Sequence, residues 1–105
     1  MIILLGRLDV DPARLAGLKP VLQQTMRRAR AEDGCYSCSL SVEDEGDGER
    51  SATIHISERW KSVAHLKAHA ASAHMAEFRK AIAGAVRGSD IRMYDATNER
   101  PLKLR

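Results

Sequence analysis

Apolar and polar residues alternate along several short segments, a pattern typical of β-strands that bury one face. The alternation is clearest over residues 52–60, where every second side chain falls on one face: Ile54, Ile56, Glu58 and Trp60. The segment 2–10 begins Ile-Ile-Leu-Leu and is apolar on both faces, so we expect both faces to be covered. Two further strands are predicted at residues 35–43 and 91–96.

Three other segments repeat apolar residues at the spacing of an amphipathic helix. The first is predicted to begin at Pro12, which suits the first helical position, and to end before Gly34. Ser62 and Ser72 are the expected N-caps of two more helices. The ranges predicted for these helices are 63–70 and 73–86, with a closing glycine after the second.

The element order is therefore β-α-β-β-α-α-β, in one α+β domain of residues 1–96 followed by a polar tail or dimer arm at 97–105. Right-handed connections give a four-stranded antiparallel sheet with its helices on one face, the split βαβ arrangement. Because the first strand is apolar on both faces, the face without helices also needs a cover. The simplest cover is the same face of a second copy, so we expect an isologous homodimer.

The composition is that of an ordinary globular chain. Its 105 residues suit one domain, and 44% of them are hydrophobic and 30% charged. No apolar run approaches the roughly 20 residues that a membrane span needs. The N-terminal Met-Ile-Ile-Leu-Leu lacks a basic region and is too short for a signal peptide, so we expect a cytoplasmic protein.

The net charge of +3 does not by itself indicate a nucleic-acid partner. The densest basic cluster, Arg27, Arg28 and Arg30, falls near the end of the first predicted helix, where cations complement the helix dipole. Nucleic-acid binding favours a basic face interleaved with aromatic residues. The chain has few aromatic side chains, namely Tyr36, Trp60, Phe78 and Tyr94. We therefore expect no nucleic-acid partner.

Cys35 and Cys38 have the spacing of a redox or metal pair, but they fall in a predicted strand. Residues three apart on a strand point to opposite faces and lie roughly 10 Å apart, beyond the ~7 Å limit for a disulfide. The chain has 2 cysteines, so no second pair completes a zinc site. We expect both to be buried, small apolar side chains.

Three of the histidines cluster in the two short predicted helices. His65 and His69 share a helix face and are a possible metal pair. Spacing supplies no further ligand, so surface or helix-end roles are the alternative, and no metal is expected. His74 falls in the first turn of the last helix, where the helix dipole disfavours imidazolium. A neutral imidazole there can accept a proton or bind a phenolic oxygen, unless it is only a polar helix-end residue.

Glu58 and Trp60 stand out on the strand at 52–60. A carboxylate on an apolar strand face is costly unless it is paired. Glu58 can orient a histidine, or it can simply reach solvent at the end of the strand. Trp60 can form a cavity wall, or it can be the largest residue of the core.

The stretch from Glu58 onward contains a distinctive series: Glu58, Trp60, Ser62, His65, Leu66, His69, His74 and Met75. This series resembles the antibiotic-biosynthesis monooxygenase superfamily, above all its quinol monooxygenase branch. That branch has the pattern Glu-x-Trp-x-Ser-x-x-His-Leu-x-x-His with a following His-Met. Residues 32–35, Glu-Asp-Gly-Cys, also resemble the family's Glu-x-Gly-Cys turn into the second strand.

The resemblance implies a ferredoxin-like fold, a dimeric α/β barrel and a cavity between sheet and helices. It also implies oxidation of a quinol or phenolic aromatic by O₂, without metal, flavin or haem as cofactor. Haem-degrading relatives carry an Asn on the first strand, and residues 2–10 have none. The alternatives within this fold are a non-oxidative isomerase or lyase, and a small-molecule-binding dimer without catalysis.

By the same resemblance, the predicted catalytic residues are His69, His74, Glu58 and Trp60. In this hypothesis the histidines handle the hydroxyl proton, Glu58 holds one imidazole in the useful tautomer, and Trp60 packs the substrate ring. His65 is expected to lie outside the site. The predicted substrate-binding residues are Met75, Phe78, Met93, Ile54 and Ile56. The sequence identifies neither the substrate nor which histidine is the base.

Overall fold

The computed structural model describes residues 1–104 and contains four strands and three α-helices in this part of the chain. The elements in chain order are β1 (Ile2–Val10), a short 3-10 helix (Pro12–Arg14), α1 (Leu15–Arg30), β2 (Cys35–Asp44), β3 (Ala52–Trp60), α2 (Val63–Ala70), α3 (Ala73–Ile82) and β4 (Val86–Asp95). This confirms the predicted α+β class and element order. Arg105, the last residue of the predicted tail, lies outside the described residues.

The sheet is antiparallel throughout, with strand order β2-β3-β1-β4. In β1, one of the two inner strands, Leu4 is paired with Glu58 on one side and with Met93 on the other. The split βαβ arrangement expected from the element order is therefore the one observed. No helix in residues 1–104 has both the length and the apolar character to cross a membrane.

One face of the sheet packs against the helices and forms the core. Alternate residues of β3 on this inner face are buried, and they meet the apolar stripe of α1. The buried contributors from α1 are Leu15, Leu18, Leu22 and Ala29. Asp11 caps the short 3-10 helix that leads into α1, because its side chain accepts a hydrogen bond from Ala13 N at 3.0 Å.

Within residues 1–104 no helix packs against the outer face of the sheet, which carries a mixture of apolar and charged residues. Leu5 is 42% exposed and Tyr94 is 47% exposed. Next to them, Arg7 forms ion pairs with Asp9 and Asp90 at 3.3 and 3.6 Å. A single chain thus leaves apolar side chains of β1 and β4 accessible on this face.

The last helix and the last strand have different bounds from those predicted. The helix was expected to reach residue 86 and the strand to begin at 91, but α3 ends at Ile82 and β4 begins at Val86. Val86 pairs with Val10, across a bulge at the end of β1. Pairing with β1 therefore replaces the helical hydrogen bonds there, and Gly88 lies within β4 instead of closing a helix.

A bulge at the start of β2 overturns the predicted direction of its first residues. Cys35 is paired with Trp60 and Ser37 with Arg59, so Tyr36 has no partner of its own. As a result Tyr36 is exposed, and Cys35 lies on the same inner face as Cys38. The prediction that the two cysteines point to opposite faces was wrong, although both are free thiols.

Candidate functional site

Glu58 and Trp60 lie side by side on the inner face at the end of β3, as the period-two spacing predicted. The indole Nε1 of Trp60 donates a hydrogen bond to Glu58 Oε1 at 2.9 Å. Both side chains are buried, Trp60 completely. The hydrogen bond explains how a carboxylate is tolerated on this apolar face, because it supplies the partner that a buried carboxylate needs.

His69 lies in the last turn of α2 and is only 5% exposed. Its ring packs on the indole of Trp60, with ring centroids 4.5 Å apart. Its Nε2 atom lies 4.0 Å from Glu58 Oε1, on the side of the Glu58–Trp60 pair. The imidazole is therefore held between the strand and the helix end, with one nitrogen directed toward Glu58.

Glu32, in the loop between α1 and β2, contacts both imidazoles. Its Oε2 atom is 2.8 Å from His69 Nδ1, and its Oε1 atom is 2.5 Å from His74 Nε2. An ionised carboxylate can only accept hydrogen bonds, so the hydrogen bond to His69 places a proton on Nδ1. In the neutral imidazole the free lone pair is then on Nε2. The carboxylate hydrogen-bonded to His69 is thus Glu32, and the role of Glu58 in holding one imidazole stays a prediction.

The loop that carries Glu32 is fixed by Gly34 and His65. Gly34 has a φ of 81°, and a Cβ atom added there would lie 2.3 Å from the His65 ring. Lys61 N donates to Gly34 O at 2.8 Å, which ties the loop to the end of β3. His65 itself bonds to Ser62 Oγ through Nδ1 at 2.7 Å. His65 therefore lies outside the histidine–carboxylate cluster, and it supports the loop that positions Glu32. The cluster consists of Glu32, Glu58, His69 and His74.

His74 lies in the first turn of α3, where Ser72 is the N-cap as predicted. Its ring centroid is 6.0 Å from that of His69. The 2.5 Å separation between His74 Nε2 and Glu32 Oε1 lacks the direction of a hydrogen bond. Within residues 1–104, neither of these two buried atoms has a hydrogen-bond partner. The carboxylate and the second imidazole are close together but are not satisfied by each other.

A cavity of about 270 Å³ lies between the sheet and the helices. Glu58 and His69 form its polar end, and the hydroxyl of Thr25 is already engaged with Val21 O at 2.8 Å. The remaining lining residues are Leu4, Leu8, Cys38, Leu40, Ile56, Leu66, Ala70, Met75, Phe78, Ile82 and Ile91. The cavity thus offers one polar end and an apolar body. A larger depression of about 770 Å³ lies under the tail, away from the histidines.

The predicted site residues divide between the cavity and its surroundings. Those that line the cavity are His69, Glu58, Met75, Phe78 and Ile56. Trp60 does not line it and packs against His69 instead, and its packing on a substrate ring stays a prediction. His74 does not line the cavity either, and its Nε2 atom is close to Glu32 Oε1. Ile54 is a fully buried core residue.

Met93 also lies outside the cavity and is 55% exposed. It shares the inner face with Leu4, as its pairing shows, but β4 is the edge strand of the sheet. Its neighbour on the same face, Ile91, does reach the cavity. Met93 is therefore on the cavity's side of the sheet as a predicted substrate-binding residue would be, but Ile91 and not Met93 lines the cavity.

Sequence reasoning missed Glu32 and Leu66 as parts of the site. Leu66 lies one turn before the end of α2, on the side that faces the cavity. Glu32 had a signal, because residues 32–35 resemble the family's turn into the second strand. That resemblance indicated the fold of the turn and not the contact of its carboxylate with two imidazoles.

The two thiols near the cluster are held in the protonated form. Burial, reinforced by the nearby charge of Glu58, raises the pKa of Cys38 to about 12. Burial and the carboxylates of Glu58 and Glu32 also raise the pKa of Cys35. The thiolate is the reactive form of cysteine, so neither residue is a nucleophile at neutral pH. The polar chemistry of this region belongs to the imidazoles and carboxylates.

The fold and the site together define a ferredoxin-like α+β domain with a histidine–carboxylate cluster at one end of an apolar cavity. The sequence model of the antibiotic biosynthesis monooxygenase family matches residues 1–81. The chain therefore belongs to that family, which confirms the resemblance at the level of the superfamily. No match was found among curated proteins.

Solved structures with the same fold cover nearly the whole chain. A proposed antibiotic biosynthesis monooxygenase from Deinococcus radiodurans is 23% identical, with a TM-score of 0.81 and coverage of 98% of this chain and 99% of its own. One from Nitrosomonas europaea is 14% identical, with a TM-score of 0.78 and coverage of 91% and 98%. A Mycobacterium tuberculosis protein is 22% identical, with a TM-score of 0.78 and coverage of 95% and 98%. At these identities the likeness establishes the shared fold.

Proposed function

We propose that this protein is a cofactor-independent monooxygenase of the quinol monooxygenase branch, which oxidises a quinol or small phenolic aromatic with O₂. The observation that carries the proposal is His69, whose Nδ1 atom is bonded to Glu32 and whose Nε2 atom lies at the polar end of the cavity. This is the arrangement of a general base oriented by a carboxylate. Membership of the monooxygenase family supports the same reaction class.

In the proposed mechanism the substrate hydroxyl lies at the polar end of the cavity and gives its proton to His69 Nε2. The Nδ1–H group keeps its bond to Glu32, whose charge stabilises the imidazolium that forms. The resulting phenolate is rich in electrons and reduces O₂ directly. A quinol thereby becomes a hydroxyquinone, one oxygen atom enters the product, and the other leaves as water. The quinol supplies all four electrons that O₂ accepts, two as a ring carbon is hydroxylated and two as the ring is oxidised to the quinone.

The cavity limits the substrate to a small ring system. Its volume of about 270 Å³ lies just below the usual range for ligand pockets, roughly 300–1,000 Å³. The polar side chains Glu58 and His69 lie together at one end of it, and the hydroxyl of Thr25 is bonded to Val21 O. We therefore expect a substrate of one or two fused rings, with one hydroxyl at the histidine end and an apolar body.

The test is oxygen uptake by the metal-free protein with a panel of naphthohydroquinones and simple catechols. The proposal predicts uptake well above the buffer blank for at least one compound. A His55→Gln variant is the matched control, because His55 lies on the outer face of β3 opposite Arg7 and outside the cavity. Uptake no faster than the blank across the panel would contradict the proposal and would favour a non-oxidative enzyme.

We also infer that the protein is a homodimer that pairs through the outer face of the sheet. Leu5 and Tyr94 are 42% and 47% exposed there, beside Ile3, which lines the depression under the tail. Sedimentation at micromolar concentration should give the mass of a dimer. Leu5→Lys should shift it toward the monomer. Val63→Lys, at a similarly exposed apolar residue on α2, should leave the dimer intact.

A further inference from the structure

Glu32, His69 and His74 have the composition of a metal site. Each residue offers one donor atom, and the three donor atoms lie within 4.8 Å of one another. Donors around a tetrahedral ion with bonds of 2.0–2.2 Å are separated by about 3.4 Å. Small side-chain movements are therefore enough for the cluster to close around one ion.

The unsatisfied atoms of the cluster are a second, independent observation. Glu32 Oε1 and His74 Nε2 are both buried, and neither has a hydrogen-bond partner within residues 1–104. They approach each other to 2.5 Å without hydrogen-bond direction. Buried polar atoms left without a partner are uncommon in folded proteins, and a bound ion is one of the recognised explanations. Two buried donor atoms this close together, neither with a hydrogen-bond partner, are the arrangement expected where both bind one metal ion.

The donors come from three segments that are fixed independently of any ion. Glu32 lies in the loop held by Gly34, while His69 and His74 flank the junction of α2 and α3. At that junction the Ser72 hydroxyl donates to His69 O at 2.6 Å and accepts from Met75 N at 3.3 Å. The site would therefore be largely preorganised, with little loss of conformational entropy on binding.

The surroundings of His69 also fit a metal ligand. A histidine that binds a metal through one nitrogen commonly donates its other N–H group to a carboxylate. If His69 binds through Nδ1, its Nε2–H group faces Glu58 Oε1, which is 4.0 Å away. Glu58 would then act as the supporting carboxylate and add a second negative charge near the ion.

We propose that Glu32, His69 and His74 bind one divalent transition-metal ion. Two imidazoles and one carboxylate suit Zn²⁺ or Co²⁺, and three protein ligands leave a coordination position open. The ion would take the place of the proton shared by Glu32 and His69. This differs from the pair of His65 and His69 considered from the sequence, because His65 is directed at Ser62 and Asp33.

Metal binding would have a consequence for catalysis, and this consequence rests on the proposed function. A neutral His69 that binds a metal through Nδ1 carries its proton on Nε2. The nitrogen expected to accept the substrate proton then has no free lone pair. Occupation of the site should therefore inhibit oxygen uptake, and removal of the ion should restore it.

The test is isothermal titration of Zn²⁺ into untagged, chelator-treated protein. We expect one Zn²⁺ per chain and at least about tenfold weaker binding in Glu32→Gln and in His74→Ala. His55→Gln, which removes an imidazole from the outer face of the sheet, should bind like the unmodified protein. The absence of binding at about 1 mM Zn²⁺ would overturn the proposal, as would equal binding by all three variants.

Two controls keep the test decisive. Circular dichroism and a thermal melt establish that each variant is folded. Glu32→Gln and His74→Ala are assessed separately, so that if one does not fold the other still tests the site. A visible spectrum with Co²⁺ then reports the donor atoms directly. Nitrogen and oxygen ligands are expected, and a thiolate charge-transfer band would overturn the assignment by placing the ion on Cys35 or Cys38.

The metal site and the proposed reaction fail in different ways. If Zn²⁺ binds as expected but no compound gives oxygen uptake, the metal site stands and the proposed function falls. If the metal-free protein takes up oxygen but no Zn²⁺ binds, the proposed function stands and the metal site falls. If oxygen uptake requires added metal, the site stands and the cofactor-independent mechanism is overturned.

Discussion

Two carboxylates reach the same cluster from parts of the molecule that are built differently. Glu58 lies on β3, where strand alternation places it beside Trp60 on the inner face. Glu32 lies in the loop after α1 and is held there by Gly34. Glu58 is bonded to an indole, whereas Glu32 contacts both His69 and His74.

The comparison shows that strand β3 and the loop after α1 make different contributions to the site. The strand supplies a fixed wall, because Trp60 is fully buried and its only polar atom is engaged with Glu58. The loop supplies the group that sets the proton on His69. The His69 imidazole lies between the two carboxylates, with Nδ1 2.8 Å from Glu32 and Nε2 4.0 Å from Glu58.

The largest effect is expected from removal of that shared imidazole. His69→Ala should lower kcat/KM for oxygen uptake by about 10²- to 10⁴-fold, the usual loss when a general base is deleted. Sedimentation should show an unchanged assembly, since the cavity and not the outer face is altered. His55→Gln should retain full activity. Equal rates for His69→Ala and the unmodified protein would exclude His69 as the base.

The two carboxylates can be separated by the same substitution at each. Glu32→Gln should lower turnover by about 5- to 30-fold, because a charge-assisted bond to the imidazolium becomes a neutral one, a loss of about 1–2 kcal/mol. Glu58→Gln should lower it by no more than about threefold. Its charge stabilises the imidazolium but also repels the substrate anion, and these effects oppose each other. A larger loss in Glu58→Gln would reverse the assignment.

The loop can also be disturbed without touching a charged group. Gly34→Ala places a Cβ atom against the His65 ring at a φ of 81°, so it should lower the free energy of unfolding by about 1–3 kcal/mol. It should also reduce turnover, because Glu32 moves with the loop. In Gly17→Ala the added atom meets nothing within 4 Å, and the helix should gain about 0.5–1 kcal/mol. Urea unfolding measures the change in the free energy of unfolding in each variant. Equal changes in the two variants would contradict the prediction.

The smallest effect is expected at the thiol that lines the cavity. Burial raises the pKa of Cys38 to about 12, so at pH 8 only about one thiol in 10⁴ is ionised. Iodoacetamide should leave Cys38 unmodified in the folded protein and modify it in urea. The pKa of the Cys38 thiol is about 9 in the unfolded chain and about 12 in the folded protein. The free energy of unfolding should therefore fall as the pH rises from about 9 toward 12, because only the unfolded chain loses the proton in this range. Rapid labelling of Cys38 in folded protein would contradict the burial argument.

The sequence was most informative where one periodic signal dominates. The bounds 52–60 and 63–70 agree with β3 and α2, because strict alternation and a serine cap mark them. Glu58 and Trp60 followed from the same alternation. The family motif then directed attention to His69 and His74, which no spacing rule would have joined across the break between two helices.

The remaining features depend on contacts between distant segments. The bulge at Tyr36 and the early start of β4 arise from pairing with β3 and β1, which local periodicity does not contain. Whether Met93 or Ile91 reaches the cavity depends on how far the helices extend over the edge strand. Glu32 meets the histidines only because the loop folds back onto α2. Tertiary packing therefore decides which carboxylate forms the hydrogen bond to the His69 imidazole.

The most direct test of this account is the protonation pattern of His69. Long-range ¹H–¹⁵N NMR on metal-free protein labelled at histidine distinguishes the two neutral tautomers, with the His69 signals assigned by their loss in His69→Gln. The contact with Glu32 predicts a proton on Nδ1 and a free lone pair on Nε2. A neutral ring with its proton on Nε2 would contradict the account, because the nitrogen at the cavity could not then accept a substrate proton.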